Sequence, residues 1–313
     1  MNLSDQPVAT ERYAKCVEVS KRIRFDIDRD VVRGRDFDYA RKFLPDGLSK
    51  APALEFLSAD EQRLLSQVQG RSYANIFGLV ERFIAAKVLE VSGDHVLGDQ
   101  AALEALVRFG DEEIKHQEMF RRLDRMMDAG MPAGYQFLPD SNEVARVVLS
   151  KSEWAVLGLI CHIELFVLAH YRSSIDPEAE ICPLWKDVFL HHWREESQHA
   201  IIDELEWKRE DARLNPQERD RAVDDLIELV GAVDGILQAQ SLADATYFID
   251  AAGRAFTPDE AKRIRDTVLK AYRWQYIVSG VQEPRFQEIL GGFINDAQAA
   301  RIGAALAPIV SAQ

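Results

Sequence analysis

Two short segments decide the fold: residues 112–116 read EEIKH, and residues 195–199 read EESQH. Each contains Glu-x-x-His, formed by Glu113 and His116 in the first segment and by Glu196 and His199 in the second. Residues three apart share one face of a helix, so each segment projects a carboxylate and an imidazole towards a common point. One such match is weak evidence, because short motifs recur by chance. The sequence around the two motifs therefore has to show whether they form a site.

Both motifs interrupt apolar stripes that have helical spacing. The first stripe consists of Leu106, Phe109, Glu113, His116, Phe120, Leu123 and Met127. The second consists of Trp185, Phe189, His192, Glu196 and His199. Polar groups in the middle of such stripes predict a buried polar site.

The helix that precedes each motif contributes one more carboxylate. Glu81 lies among Tyr73, Phe77, Ile84 and Val88, and Glu164 lies in the apolar run 154–171. Each of these glutamates precedes the glutamate of the next motif by 32 residues. A lone buried carboxylate costs several kcal/mol as an ion, so Glu164 is expected to be neutral, paired or metal-bound.

The helical periodicity predicts an all-α four-helix bundle with additional N- and C-terminal helices. We expect one domain over residues 1–313, with a lead-in at 1–57, a metal-binding core at 58–212 and further helices at 215–313. The core helices are expected at 59–91, 100–129, 142–173 and 183–212. Reciprocal helix caps are expected where Ser58 precedes Glu61, Asn215 precedes Glu218 and Thr257 precedes Glu260.

One glutamate from each of two helices plus Glu-x-x-His from each of two others is the ligand set of di-iron and di-manganese carboxylate bundles. Glu113 and Glu196 are expected to bridge two metals. Glu81 with His116 would complete one ion, and Glu164 with His199 the other. Carboxylate and imidazole ligands suit iron or manganese, so we expect two Fe ions, with Mn/Fe as the alternative, and dioxygen as co-substrate.

Other polar residues near the motifs are expected to be structural. Asp111, Glu112 and Glu195 lie off the apolar stripes, which predicts a solvated face. His162, His170 and His191 are expected to be structural rather than ligands. Asp203, one turn after His199, is either an acceptor that orients the imidazole or part of an exposed ion pair.

The segment 191–199, HHWREESQH, adds a further candidate ligand. His192 lies one turn before Glu196 on the same helix face. This arrangement resembles the p-aminobenzoate N-oxygenase family of ferritin-like di-iron enzymes, in which a third histidine binds one iron. The resemblance covers the four-helix core, about half of the chain. Matched to it, the metal ligands would be Glu81, Glu113, His116, Glu164, His192, Glu196 and His199. The resemblance implies an oxygenase that acts on a small organic substrate such as an aryl amine, and it identifies no substrate-binding residue.

Other functions remain open. The doubled Glu-Glu-x-x-His also resembles acyl-substrate desaturases and oxidases, although these predict a basic docking patch for an acidic carrier. A ribonucleotide reductase radical subunit would have a tyrosine where this chain has Phe120. A storage ferritin would be much shorter. A non-catalytic helical scaffold that binds metal is the non-enzyme alternative.

Composition limits the partners. The net charge of −14 disfavours nucleic acid and anionic membranes. Three scattered cysteines and an N-terminus without an apolar segment predict a cytoplasmic protein with free thiols. The apolar run 154–171 contains Glu164 and two histidines, which predicts a buried helix and not a membrane span. We expect an external electron donor, and apolar stripes in the last hundred residues are consistent with a homodimer.

Overall fold

The computed structural model of the protein describes residues 6–311, and within this range it contains helices and no β-strand. The all-α prediction is confirmed. The α-helices are α1 (Gln6–Ile23), α2 (Asp46–Ser49), α3 (Ala59–Ser92), α4 (Gln100–Gly130), α5 (Ser141–Leu149), α6 (Glu153–His170), α7 (Pro183–Asp211), α8 (Pro216–Ala251), α9 (Pro258–Arg273), α10 (Ser279–Val281), α11 (Pro284–Phe293) and α12 (Asp296–Val310). Three π-helical turns accompany them, at Ile27–Val32, Tyr171–Ile175 and Trp274–Val278.

Four long helices form the centre of the molecule. α3 packs along α4, α6 packs along α7, and the two pairs meet through contacts of α4 with α7 and of α3 with α6. α1 covers α4 and α7 from outside, while α8 packs on α6 and α9. Helices on both sides therefore shield the central four from solvent.

The helix starts follow from local sequence. Ser58, Asn215 and Thr257 each form the expected reciprocal cap with the glutamate three residues later. A further reciprocal cap joins Asn295 to Gln298. Such caps satisfy backbone N–H groups that have no partner within the helix, and each stabilises its helix by about 1 kcal/mol.

The predicted continuous helix 142–173 is wrong, because the chain breaks between α5 and α6. Ser152 has an extended backbone, with φ −55° and ψ 143°, and its N–H donates to a carboxylate oxygen of Asp225 on α8. Serine side chains compete with helical hydrogen bonds, so a pair at Ser150 and Ser152 is a favourable place for a break. The break lets α5 lie against α3 while α6 enters the core.

The apolar run predicted to be a buried helix is α6. Within the described range 6–311, two helices are long and apolar enough to cross a membrane by length and composition. In Glu153–Ile175, 94% of the apolar stretch is buried inside the protein, whereas in Pro216–Ala251 the share is 33%. A helix that is apolar all round belongs in a core, and α6 has that position here.

Candidate metal centre

The four central helices bring all seven predicted ligands together. None of the seven is more than 2% exposed. α3 supplies Glu81 and α6 supplies Glu164. The remaining five come from α4 and α7, namely Glu113, His116, His192, Glu196 and His199.

These residues form two groups of four, and each group could hold a metal ion. Within each group, one donor atom from every residue lies within 4.8 Å of the others. The first group is Glu81, His116, His192 and Glu196, and the second is Glu113, Glu164, Glu196 and His199. Glu196 belongs to both, which is the position of a bridging carboxylate. The assignment of these residues as ligands stays a prediction.

Glu113 lies between the two Glu-x-x-His imidazoles. Its Oε1 is 3.1 Å from Nδ1 of His199 and 3.7 Å from Nδ1 of His116. His192 lies on the side of the first group, with Nε2 2.9 Å from Glu81 Oε1 and 2.8 Å from Glu196 Oε1. The ring nitrogens of all three histidines thus face carboxylate oxygens across a small volume.

Several buried atoms at this centre lack hydrogen-bond partners. Among residues 6–311, none hydrogen-bonds to either carboxylate oxygen of Glu113, to Oε2 of Glu81 or to Nδ1 of His116. Leaving buried polar groups unpaired costs about 1–3 kcal/mol each, and more for charged groups. Two divalent cations would pair with these atoms and neutralise the four carboxylates of Glu81, Glu113, Glu164 and Glu196. The donor set therefore fits two metal ions.

Burial and neighbouring charges shift the pKa values of the carboxyl and imidazole groups at this centre. Burial, with repulsion from Glu196, raises the pKa of the Glu164 carboxyl well above its usual range. Burial would also raise the pKa of Glu196, but the His192 and His199 imidazoles outweigh it and hold that pKa well below its usual range. Burial alone would lower the pKa of His199, yet the carboxylates of Glu196 and Glu112 raise it to about 10. Attraction between the imidazoles and Glu196 therefore favours the charged form of that carboxylate, whereas burial favours the neutral form of Glu164.

Glu112 and Glu195 are not on a solvated face, and that prediction is wrong. Nε2 of His199 donates to Oε2 of Glu112 at 2.8 Å, and Nε2 of His116 donates to Oε2 of Glu195 at 2.8 Å. Glu112 is 4% exposed and Glu195 is fully buried. Each carboxylate leaves Nδ1 of its histidine facing the centre, which is the usual way that proteins orient a metal-binding imidazole. The doubled glutamate in each motif was the sequence signal for this contact.

Neighbouring groups hold these two carboxylates in place. Ser20 on α1 donates to Oε1 of Glu112 at 2.6 Å. Lys115 forms an ion pair with Glu195, and its Nζ lies 3.9 Å from the centre of the Phe25 ring. α1 and the segment after it therefore cover a helix face that the stripe pattern assigns to solvent. Asp111 remains on the surface, as predicted, and pairs with Arg24.

Asp203 is buried, and among the described residues neither of its two expected roles is observed. It is 1% exposed, which excludes an exposed ion pair. Nε2 of His199 is already bound to Glu112. Within residues 6–311, Oδ2 of Asp203 has no hydrogen-bond partner, and burial raises the pKa of this carboxyl well above its usual range.

The three histidines that were expected to be structural have contacts away from the centre. His162 Nε2 donates to the backbone oxygen of Tyr276 at 3.2 Å. His170 Nδ1 lies 2.9 Å from the hydroxyl of Tyr73. His191 is hydrogen-bonded to the backbone oxygen of Asp187 one turn earlier. These contacts agree with the expectation that the three are not ligands.

Aromatic rings surround the centre. The ring of Phe109 stacks on His199 with centroids 3.8 Å apart. Phe77 and Phe120 present their rings edge-on to His192 at 5.3 and 5.1 Å. This hydrocarbon wall excludes water and lowers the local dielectric, which strengthens every electrostatic interaction inside it.

Comparison with known proteins assigns the chain to no family. No protein-family model matches the chain, and no curated protein matches it. The evidence for a function is therefore the geometry of the two four-residue groups.

Proposed function

We propose that the protein is a ferritin-like di-iron oxidoreductase that uses dioxygen to oxidise a small organic substrate. The observation that carries this proposal is the pair of buried groups that share Glu196. Four carboxylates balance two divalent cations, and the three imidazoles add neutral donors. Apart from the additional His192, this donor set, drawn from four helices, matches that of di-iron carboxylate bundles.

The proposed assignment gives each ion its own ligands. Glu81, His116 and His192 would hold the first iron, and Glu164 and His199 the second. Glu196, which belongs to both groups, and Glu113, which belongs to the second, would bridge the two ions. When bound, a pair of irons supplies the two-electron reduction of dioxygen that such an oxidation requires. A Mn/Fe pair is the alternative composition, since the same donors suit manganese.

The chain's own residues contribute orientation and exclusion of water. Glu112 and Glu195 fix the ring orientation of His199 and His116, with Nε2 protonated and Nδ1 facing the metal positions. Phe109 and Phe120 keep bulk water from the imidazoles. Both functions would limit reaction of a strong oxidant with solvent instead of substrate.

Among dioxygen-activating di-iron proteins, we propose that this protein is of the N-oxygenase type. The support is the position of His192, whose Nε2 faces both Glu81 and Glu196 at hydrogen-bond distance. If His192 binds metal, a third imidazole on one iron would be the feature that this chain shares with that type. An external electron donor belongs to the proposal, because a monooxygenase reaction needs two electrons beyond those that the substrate gives.

Iron uptake and iron-dependent oxygen consumption test the proposal together. The wild-type chain is expected to bind about two Fe(II) and to consume oxygen only when iron is bound. Glu164→Ala and Glu113→Ala each remove a buried donor, so at least one iron should be lost and oxygen consumption with it.

Glu118→Ala provides the matched control, because Glu118 is an exposed glutamate on α4 that pairs with Arg121. This variant should keep both irons. Full metal content in Glu164→Ala and Glu113→Ala would contradict the assigned centre. Two bound irons without oxygen consumption would favour the metal-binding scaffold over the enzyme.

A further inference from the structure

An apolar cavity lies one aromatic ring away from the metal centre. It has a volume of about 310 Å³ and lies between α3, α5, α6 and α8. Phe77 lines it, and the ring of Phe77 is also in contact with His192, 5.3 Å between centroids. On α6, the lining residue Ile163 is adjacent in sequence to Glu164. Phe77 thus lies between the cavity and the centre, in contact with both.

The lining of the cavity is almost entirely hydrocarbon. Of the side chains around it, only Glu143 and Tyr276 carry a polar group. Glu143 is exposed at the edge, where it pairs with Arg146. Among residues 6–311, no lysine, arginine or histidine lines the cavity. A carboxylate bound here would be desolvated without a cation to pair with, which costs several kcal/mol.

Tyr276 supplies one unsatisfied hydroxyl to this environment. The residue is 5% exposed, and within residues 6–311 its hydroxyl oxygen has no hydrogen-bond partner. Burial raises the pKa of the Tyr276 hydroxyl well above its ordinary value, so the group stays neutral and can donate. Tyr276 lies in the π-helical turn Trp274–Val278, and such turns frequently occur at functional sites.

A second crevice extends the cavity. It has a volume of about 80 Å³ and shares Leu159, Val233 and Tyr276 with the larger cavity. His162 also lines it, but burial lowers the pKa of this imidazole to about 4, so it is neutral near pH 7 and offers no cation to a carboxylate. The combined space is elongated along α8, and Tyr276 belongs to both parts. A ligand pocket of a few hundred Å³ with hydrocarbon walls and one polar group has the usual character of a small-molecule site.

We propose that this cavity binds the substrate of the proposed oxidation, and that the substrate is an uncharged, mostly hydrocarbon molecule with one polar group hydrogen-bonded to Tyr276. The inference rests on the proposed function for the identity of the reaction and on the cavity for the class of substrate. It separates this protein from enzymes that act on benzoates, since a benzoate carboxylate would have no cationic partner here.

Binding of an uncharged fluorophore to the full chain tests the inference without turnover. N-phenyl-1-naphthylamine is apolar and brightens when it leaves water. It should bind the wild-type chain, and dodecan-1-ol should displace it at least tenfold more effectively than dodecanoate does at pH 8. Equal displacement by the alcohol and the carboxylate would overturn the proposed substrate class.

Two variants on α8 locate the binding. Val233→Trp places a large ring at a residue that lines both spaces and should weaken fluorophore binding at least tenfold. Leu242→Trp is the matched control, because Leu242 is 53% exposed on the same helix and lines neither space. Undiminished binding to Val233→Trp, with helical content and melting temperature unchanged, would overturn the assignment of the cavity.

Tyr276→Phe tests the single polar contact. It removes an unpaired hydroxyl, so the fold should be retained, while displacement by dodecan-1-ol should become about 3- to 10-fold weaker. Dodecane should displace the fluorophore equally from both chains. An unchanged affinity for dodecan-1-ol would remove Tyr276 from the site.

Iron uptake by the same samples distinguishes this inference from the proposed function. Iron uptake without fluorophore binding would overturn the cavity as a substrate site and leave the metal centre standing. Fluorophore binding by a chain that takes up no iron would overturn the proposed function, and the substrate role with it.

Discussion

Glu112 on α4 accepts a hydrogen bond from Nε2 of His199 on α7, across 2.8 Å. The reciprocal contact, from His116 on α4 to Glu195 on α7, has the same length. Each helix therefore carries a histidine for the centre and a carboxylate that orients the histidine of the other helix. This exchange explains why both motifs begin with two glutamates.

Replacing either orienting carboxylate should weaken metal binding without unfolding the protein. In Glu112→Gln, His199 loses a charged acceptor, and metal affinity is expected to fall by about 10- to 100-fold. Glu195→Gln should act similarly through His116. Titration with Fe(II) measures the effect, and Asp111→Asn on the exposed side of α4 should leave affinity unchanged. Wild-type affinity in both glutamine variants would show that these contacts do not support the centre.

His192 should affect one metal position and not the other. Its Nε2 faces Glu81 and Glu196, which belong to the first group, and it is absent from the second. His192→Ala is therefore expected to change the optical spectrum of the oxidised iron-loaded protein while at least one iron remains bound. An unchanged spectrum at full occupancy would assign His192 a structural role.

A buried carboxyl far from the motifs should make stability depend on pH. Asp244 is fully buried, accepts hydrogen bonds from Ser72, Gln240 and Tyr272, and has its pKa raised by burial to about 7. Between about pH 4 and pH 7 the folded state keeps a proton that the unfolded state releases, so stability should fall as pH rises through this range.

Asp244→Asn removes this titration. Urea unfolding of both chains at several pH values measures the difference between them, which isolates Asp244 from other titrating groups. Relative to the variant, the wild-type chain should lose up to about 4 kcal/mol of unfolding free energy between pH 4 and pH 7. A difference that does not change with pH would contradict the raised pKa.

Two glycines should respond in opposite directions to alanine. A Cβ on Gly158 in α6 would lie 2.7 Å from the Trp207 ring, so Gly158→Ala should destabilise the fold by about 1–3 kcal/mol. A Cβ on Gly231 in α8 would meet nothing within 4 Å, and Gly231→Ala should stabilise by about 0.5–1 kcal/mol through helix propensity. Thermal unfolding of the two variants tests whether α6 and α7 pack as closely as described. Equal effects would contradict that packing.

The positions of the helices could be predicted well from the sequence. α3, α4 and α7 have bounds within one residue of those expected, because caps and long stripes mark them. The break between α5 and α6 was missed, since both halves continue one apolar pattern. The local preference of Ser150 and Ser152 is weak, and the contact of Ser152 with Asp225, a residue 73 positions later, stabilises the break further.

The candidate site could be predicted only in part. Polar residues that interrupt an apolar stripe face the centre of the four helices, and the seven residues predicted in this way lie together. The same pattern predicts that the other helix faces are solvated. This prediction is wrong for Glu112, because α1 covers that face of α4 and Ser20 on α1 donates a hydrogen bond to Glu112. The cavity beside Phe77 could not be foreseen, since its walls come from four helices whose packing is not local in sequence.

Stopped-flow absorbance on the iron-loaded protein tests the central claim most directly. The chain would be loaded anaerobically with Fe(II) and mixed with oxygenated buffer, with Glu164→Ala as the negative control. The account predicts a transient visible absorption band whose amplitude saturates at about two irons per chain and which Glu164→Ala lacks. Absence of any band together with weak iron uptake by the wild-type chain would contradict a dioxygen-activating di-iron centre.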